Sequence, residues 1–353
     1  MENNPNNENP VNPVNPINPE IHQQINTGNN DFFNPARLQL EKITNTVYAA
    51  KNQISRYVIG QHEMTELLLI GILANGHVLL EGVPGIAKTL TAKVLSKTLS
   101  AQFARIQFTP DLMPSDVIGT STYNMQTGKF NFNKGPVFSN IVLIDEINRA
   151  PAKTQAALFE VMEERQITYE GVTYPMEFPF LVMATQNPVE QEGTYRLPEA
   201  QLDRFLFRIK LHYPNRSEEQ EILKRYQHAI KTPDLNDIEK VFSVQHLKEI
   251  QELIIKVHIS EGILKYIADI ICNTREHGKL FLGASPRASL ALLRSAKTLA
   301  ALRGRDFVVP DDVQFLAFHV LNHRIILTPE AEMEGVNTEQ VIQEIIQKVE
   351  VPR

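Results

Sequence analysis

The chain has 353 residues, 42% of them hydrophobic, and a formal net charge of −6 at pH 7. This length predicts about two domains of roughly 150 residues each, and the acidic balance removes the overall positive field that favours binding to nucleic acid. A single cysteine excludes disulfides within the chain and cysteine-based metal sites. No apolar run approaches the roughly 20 residues that span a bilayer, and no secretion signal is recognisable, which predicts a cytoplasmic protein without membrane insertion.

The N-terminal segment is rich in asparagine and proline and contains scarcely any large apolar side chain. Repeated Asn-Pro steps keep the backbone out of the helical region, and nothing in the segment can fill a core. We therefore expect residues 1–33 to form a disordered tail. The two segments that follow carry apolar residues at helical spacing, which predicts amphipathic helices at 37–57 and 63–73.

An α/β domain is predicted for residues 34–213. Short apolar runs without alternation lie at 77–80, 141–144 and 180–184. Such runs are typical of parallel strands that are buried on both faces. Helical patterns between them, at 89–99 and 153–164, indicate a doubly wound parallel sheet. Hairpins are expected at 123–130 with a Thr-Gly turn and at 166–174 with a Glu-Gly turn.

Residues 214–353 change in character and predict a helical domain. Helical patterns lie at 217–226, 244–257, 260–275, 286–303, 310–321 and 337–349. Ser217, followed by Gln220 three residues later, resembles a helix cap and predicts that the first helix starts there. Cys272 lies in an apolar run, so we expect a buried thiol without reactivity.

The stretch EGVPGIAKTL at 81–90 nearly matches the phosphate-binding pattern G-x-x-x-x-G-K-[ST], with Ala87 in place of the second glycine. A helix after such a loop offers unpaired N–H groups and the positive end of its dipole to a phosphate. Lys88 would reach the outer phosphates and the Thr89 hydroxyl would bind Mg²⁺. We expect Ala87 to lie inside the helix with right-handed backbone angles, where alanine is favourable. The residues predicted to hold the nucleotide are Gly82, Val83, Pro84, Gly85, Ile86, Ala87, Lys88, Thr89 and Leu90.

Two other strand ends carry residues suited to hydrolysis. The run at 141–144 ends in Asp145 and Glu146, a pair suited to holding Mg²⁺ and to activating the attacking water. Asn187 follows the run at 180–184, where its amide could orient that water.

Charge on the transferred phosphoryl group also requires an arginine, from the same chain or from a neighbour. Arg204 and Arg287 are the candidates, and Arg208 is an alternative to Arg204. Arg287 is predicted in the first turn of a helix, where a cation opposes the helix dipole. An anionic partner is therefore expected beside Arg287.

With these residues assembled, the sequence resembles the AAA+ ATPases, and in particular the MoxR family. The similarity runs from about residue 58 to 327 and includes GVPGIAKT, GPVFSNIVLIDEINRAPAKTQAALFEVMEERQIT from Gly135 and ATQNPVEQEGTYRLPEAQLDRF from Ala184. The resemblance implies an AAA+ P-loop core with a C-terminal all-helical lid, and the activity of a Mg²⁺-dependent ATP hydrolase.

The resemblance also implies residue roles, and a Mg²⁺·ATP site between the core and the lid. The implied residues are Lys88 and Thr89 of Walker A, Asp145 and Glu146 of Walker B, Asn187 as sensor 1, Arg287 as sensor 2, Arg204 as the arginine finger that reaches a neighbouring subunit, and Gly60 and Gln61 beside the adenine. The finger implies a homo-oligomeric ring, usually a hexamer. The two hairpins resemble elements that face the pore of related rings, either as passive sheet extensions or as substrate contacts.

Members of the MoxR family are chaperone-like motors that remodel or activate other proteins, sometimes in metal-cofactor insertion. Their partners, separate proteins, often carry a von Willebrand factor A domain. Three alternatives stay open: a nucleic-acid-dependent AAA+ motor, a nucleotide-dependent binding switch with negligible turnover, and an ATPase subunit like that of magnesium chelatase. Glu146 and Asn187 argue against the switch, and the stretch GPVFSNIVLIDEINRA favours MoxR over magnesium chelatase.

Overall fold

The computed structural model describes residues 35–126, 128–187, 195, 197–227 and 234–352, with side chains described from Leu40 onward. The predicted tail at 1–33 lies outside the described residues. Across the described ranges, none of the helices is long and apolar enough to cross a bilayer.

Strands and helices alternate in the first half of the chain, and helices dominate the second. The strands are β1 (Val78–Glu81), β2 (Phe103–Gln107), β3 (Gly119–Asn124), β4 (Lys129–Lys134), β5 (Ile141–Asp145), β6 (Gln166–Tyr169), β7 (Val172–Pro175), β8 (Leu181–Gln186), β9 (Phe207–Lys210), β10 (Leu280–Leu282) and β11 (Ile326–Leu327). The helices are α1 (Pro35–Ser55), α2 (His62–Leu73), α3 (Lys88–Thr98), α4 (Pro114–Ile118), α5 (Ala152–Glu164), α6 (Glu199–Leu202), α7 (Arg216–Tyr226), α8 (Val244–Lys256), α9 (Glu261–Glu276), α10 (Pro286–Leu302), α11 (Pro310–Leu321), α12 (Pro329–Met333) and α13 (Thr338–Lys348).

The central sheet has five strands in the order β2-β5-β8-β1-β9, and every neighbouring pair is parallel. Its three interior strands are β5, β8 and β1, the three that the apolar runs predict, and this confirms the doubly wound parallel sheet. The sequence analysis does not predict β2 and β9. Both lie at sheet edges and leave part of their side chains half-buried or exposed, so neither shows a continuous apolar run.

Each interior strand feeds two hydrophobic cores, because successive side chains point to opposite faces of a sheet. Leu80 and Met183 belong to a core that also contains α1, α2 and α3. Leu79 and Val182 belong to a second core on the other face, which α5 covers. The first core continues without a break into α8, α9, α10, α11 and α13, so the helical lid and the sheet share one apolar interior.

The predicted helices of the lid are all present, and the structure adds the short helix α12. The first of them begins after Asn215, not at Ser217: the Asn215 side chain accepts from the backbone N–H of Ser217 and Glu218, and the Glu218 carboxylate accepts from Asn215 N. A two-stranded ribbon of β10 and β11 interrupts the helices. Cys272 is exposed on α9, so the expectation of a buried thiol is wrong.

Both predicted hairpins form, β3 with β4 and β6 with β7. Glu170 and Gly171 have φ of +50° and +78° at the tip of the second, the left-handed angles that a tight hairpin turn requires. Thr127 of the first predicted turn lies outside the described residues. The two hairpins meet through Phe132, whose ring centroid lies 4.7 Å from that of Tyr169.

Candidate functional site

The phosphate-binding loop connects β1 to α3, as the sequence pattern predicts. Gly85 has φ of +88°, and a Cβ added to it would meet nothing within 4 Å among the described residues, so the loop exposes bare backbone there. Gly82 is tightly packed, because a Cβ added to it would lie 3.0 Å from the Leu211 carbonyl oxygen. Ala87 is the N-cap of α3 and has φ of +61° and ψ of +19°, a left-handed conformation. The expected right-handed geometry of Ala87 is therefore wrong, and alanine occupies a position that glycine adopts more readily.

Lys88 begins α3 and folds back over the loop, where its Nζ donates to the Gly82 carbonyl oxygen at 2.7 Å. Burial lowers the pKa of Lys88 below its usual value, and the negative charges of Asp145 and Glu146 partly offset this effect. A cationic amine is thus held beside two carboxylates at the mouth of the loop. It is free to exchange the neutral Gly82 carbonyl for an anionic oxygen, which is the stronger acceptor.

The two carboxylates stand at the end of β5. Asp145 is buried, accepts from the Thr185 hydroxyl at 3.3 Å and forms an ion pair with Arg105 Nε at 2.6 Å. Glu146 leaves the strand with left-handed backbone angles and accepts from Gln107 Nε2 at 2.8 Å. The Glu146 backbone N–H also donates to the Thr185 hydroxyl at 3.0 Å, so β8 holds both residues from one side while edge strand β2 contacts them from the other.

A cleft of about 360 Å³ brings most of the predicted residues together. Its lining comprises Pro84, Gly85, Ala87, Lys88, Thr89, Leu90, Arg105, Gln107, Asp145, Glu146, Thr185 and Asn187. The sequence analysis misses Arg105, Gln107 and Thr185; polar residues alternating along a strand that it does not recognise were the available signal for the first two. Gly82, Val83 and Ile86 shape the loop without lining the cleft.

Gly60 and Gln61, predicted beside the adenine, do not line this cleft. Gly60 has φ of +77°, and a Cβ there would lie 2.7 Å from the Glu218 carboxyl carbon of α7. Gln61 lines a different cavity, with Phe315 among its other residues. The structure thus places this segment between α2 and α7, and its nucleotide contact stays a prediction.

Arg204 and Arg287 lie together in a second cavity of about 290 Å³. This cavity is lined by residues 74–77, which precede β1, and by Leu206, which precedes β9. The phosphate-binding loop follows the opposite end of β1. A strand of four residues spans about 13 Å at roughly 3.3 Å per residue. The two arginines therefore lie at the amino ends of the sheet strands, and the loop lies at their carboxyl ends.

Glu163, near the end of α5, is the anionic partner expected for Arg287, with Oε1 at 2.9 Å from Arg287 NH2. Its other oxygen lies 3.8 Å from Arg204 Nε, beyond hydrogen-bond distance. Arg204 NH1 donates to the Phe159 carbonyl oxygen at 2.7 Å, while its buried Nε finds no acceptor among the described residues. Arg208, the alternative candidate, is instead paired with Glu81.

The cleft fits a nucleotide with magnesium. The loop offers backbone N–H groups at a helix start, the geometry that binds phosphate, and Lys88 adds a positive charge. Thr89 and Asp145 supply hydroxyl and carboxylate oxygens, the donors that Mg²⁺ prefers. A cation already sits at Asp145 in the form of the Arg105 guanidinium, whose Nε lies 2.6 Å from Asp145 Oδ2, so a positively charged group reaches this carboxylate.

Comparison with known proteins identifies the family of the chain. A profile of the ATPase family associated with various cellular activities (AAA) matches residues 77–207, and one of the AAA lid domain matches 272–345. YeaC of Bacillus subtilis is 47% identical over 86% of this chain and 94% of its own length, and the chaperone MoxR1 of Mycobacterium tuberculosis is 44% identical over 87% and 83%. A crystal structure of a candidate ATPase from Cytophaga hutchinsonii superposes with a TM-score of 0.84 at 46% identity, over 90% of this chain and 98% of that one. The chain belongs to the MoxR family of AAA+ ATPases and is an ATP-hydrolysing enzyme.

Proposed function

We propose that the protein is a Mg²⁺-dependent ATP hydrolase that works as a homo-oligomeric ring, with six subunits, to remodel or activate other proteins. The relative named chaperone MoxR1 supports the chaperone role. We further propose cytoplasmic action, a partner that carries a von Willebrand factor A domain, and metal-cofactor insertion as one use of the motor. These finer points rest on the family resemblance.

The proposed ring is supported by the position of Arg204 and Arg287, which lie at the amino ends of the sheet strands, opposite the phosphate-binding loop. Neither arginine lines the cleft that contains Lys88. In this structure neither arginine therefore reaches the nucleotide cleft of its own chain. A neighbouring chain can supply them, because a head-to-tail contact repeated around a closed ring sets one edge of each chain against the opposite edge of the next.

This arrangement replaces the expectation that the lid of the same chain completes the nucleotide site. Arg287, the lid residue expected there, is held by Glu163 on the far side of the sheet. We propose that Arg287 serves the nucleotide of the neighbour together with Arg204. The Arg204 side chain is 30% exposed, and its guanidinium is the group that would donate to a phosphate oxygen.

Within one chain, the residues of the cleft divide the chemistry. Thr89 and Asp145 would hold a magnesium ion, which would neutralise charge on the phosphate oxygens. Lys88 would leave the Gly82 carbonyl and contact the outer phosphates. Glu146 would accept the proton of the attacking water, with Asn187 orienting that water. Arg105 contacts Asp145 Oδ2 and Gln107 contacts Glu146 Oε2, so each contact would compete for one carboxylate oxygen with the group that binds in these roles.

The hairpin of β3 and β4 supports contact with protein clients. Its side chains Tyr123, Met125 and Phe130 are exposed, Met125 by 90%. Clustered exposed apolar side chains mark interaction surfaces on soluble proteins, and methionine adapts to varied partners. We propose that this tip touches the client.

Two substitutions test the proposal. Glu146→Gln should retain ATP affinity and lose most hydrolysis, because the amide cannot accept the proton. Arg204→Ala should also retain affinity and lose turnover by at least about a hundredfold, given that arginine fingers contribute 10³-fold or more. Mixed rings of the two variants should recover activity, since Glu146→Gln chains present Arg204 to the intact cleft of Arg204→Ala chains. Wild-type turnover by assembled Arg204→Ala rings would contradict the trans arrangement.

A further inference from the structure

The segment that carries Arg204 is held by the lid through one buried arginine, Arg324. The side chain of Arg324 is 3% exposed and lies just after the end of α11. A guanidinium has five N–H donors, and those of Arg324 all find acceptors. Nε donates to Asp203 Oδ1 at 2.7 Å, and the other four donate to the carbonyl oxygens of Val320, Leu206, Asp203 and Phe205.

Four of these five acceptors belong to the residues 203–206 that surround Arg204. The two residues before Arg324 extend the contact: His323 Nε2 lies 3.1 Å from the Phe205 carbonyl oxygen, and Asn322 Nδ2 donates to the Arg208 carbonyl oxygen at 3.1 Å. The backbone on both sides of Arg204 therefore has one conformation, which the lid imposes.

Asp203 links this segment to Arg287. Its Oδ1 accepts from Arg324, and its Oδ2 accepts from the Ser285 hydroxyl at 2.8 Å. Ser285 is the N-cap of α10 and its Oγ also accepts from the backbone N–H of Arg287 at 3.2 Å. One carboxylate thus joins the residue before Arg204 to the helix start that bears Arg287.

We propose that Asp203 is a positioning residue for ATP hydrolysis in the neighbouring subunit: through Ser285 and Arg324 it sets Arg204 and Arg287 as one pair of fixed spacing. This inference rests on the proposed function, since it assumes that both arginines act on the neighbour. Hydrolysis depends steeply on placement, and a shift of about 1 Å in a catalytic group costs on the order of a hundredfold. A lid that only adheres to the core would not require Asp203 to connect residues 203–206 to the start of α10.

The experiment compares capping serines of two lid helices. Ser285→Ala removes the hydrogen bond to Asp203 together with the cap of α10. Ser243→Ala removes the equivalent cap of α8, whose hydroxyl accepts from His246 N and has no other partner among the described residues. Both lose one capping bond, so their effects on lid stability are matched. In assembled rings Ser285→Ala should lower kcat about threefold to tenfold at unchanged ATP affinity, and Ser243→Ala should keep the wild-type kcat. Asp203→Ala should lower kcat by at least about tenfold, because it frees both partners.

Mixing identifies which site is affected. Asp203→Ala chains have an intact cleft, so mixing them with Glu146→Gln chains should restore hydrolysis, as is expected for Arg204→Ala chains. Equal losses in Ser285→Ala and Ser243→Ala, or Asp203→Ala rings that Glu146→Gln chains do not rescue, would overturn the inference, because the defect would then be general. If Asp203→Ala keeps the wild-type kcat while Arg204→Ala is impaired, the inference is also overturned, but the proposed ring function stands. If Arg204→Ala hydrolyses ATP at the wild-type rate, the proposed function on which the inference rests is refuted instead.

Discussion

His77 should make the protein lose stability in mild acid. The ring is buried between β8 and α5, with Nδ1 accepting from the Val182 N–H at 3.0 Å and Nε2 donating to the Met162 carbonyl oxygen at 3.0 Å. Protonation would place a hydrogen on Nδ1 against that N–H. Burial, the main cause, and the charge of Arg165 lower the pKa of His77 from 6.5 to about 3, against a smaller opposing effect of the bond to Met162.

The sign and size follow from proton linkage. Because the folded pKa is below the unfolded one, the unfolded chain binds the proton first, so this contribution is complete above pH 6.5 and is lost as the pH falls toward 3. Between pH 7 and pH 5 the expected loss in the free energy of unfolding from His77 is about 2 kcal/mol. His319, whose pKa burial lowers to about 4, contributes with the same sign.

Urea unfolding of wild type and of His77→Gln at pH 7 and pH 5 measures this contribution. Glutamine can accept from Val182 and donate to Met162, so the fold is retained, and other titrating groups cancel in the comparison. The variant should lose about 2 kcal/mol less than wild type between the two pH values. His62→Gln, at an exposed position, controls for the substitution. Equal losses in wild type and His77→Gln would refute the argument.

Three further predictions concern the cleft and the first hairpin. Lys88→Ala should abolish binding of a fluorescent ATP analogue, because no other lysine of the described residues lines the cleft; retained affinity would exclude Lys88 as the phosphate contact. Arg105→Gln should lower, severalfold, the Mg²⁺ concentration that half-saturates analogue binding, since no guanidinium competes for Asp145; an unchanged requirement would contradict this competition. Gly119→Ala should destabilise the base of the hairpin by about 1–3 kcal/mol, because φ is +113° and the new Cβ would lie 2.2 Å from the Asn133 carbonyl oxygen; proteolysis within β3 and β4 at the wild-type rate would count against it.

The sequence identifies the cleft well because its parts follow buried strands. Asp145 and Asn187 come after the apolar runs of β5 and β8, and parallel strands bring their carboxyl ends to one edge. Edge strands are harder to recognise, since water on one side permits residues such as Arg105 and Gln107. Ala87 shows another limit: its left-handed backbone depends on how the loop closes onto α3, and the helical pattern of the residues after it gives no sign of that.

The position of the arginines depends on β9, a strand that the sequence analysis does not predict. Arg204 precedes β9, which runs parallel to β1, so it lies at the amino ends of the strands, away from the loop. Arg287 is far from Arg204 in the chain, and only the folded structure brings the two together. The correct cap of α7 could have been predicted from the sequence, because Asn215 with Glu218 is a better capping box than Ser217 with Gln220. The helical spacing of α9 would also have predicted that Cys272 is exposed, because this residue lies outside the buried stripe of Ile263, Ile267, Ile270 and Ile271.

The exposed thiol on α9 has a practical consequence. Cys272 is the chain's sole cysteine, so any covalent cross-link formed by air oxidation must join two polypeptides. A maleimide dye would label one known position without any prior mutagenesis. Since that position lies in the lid, energy transfer from it to a dye on the bound nucleotide would follow lid movement through each turnover.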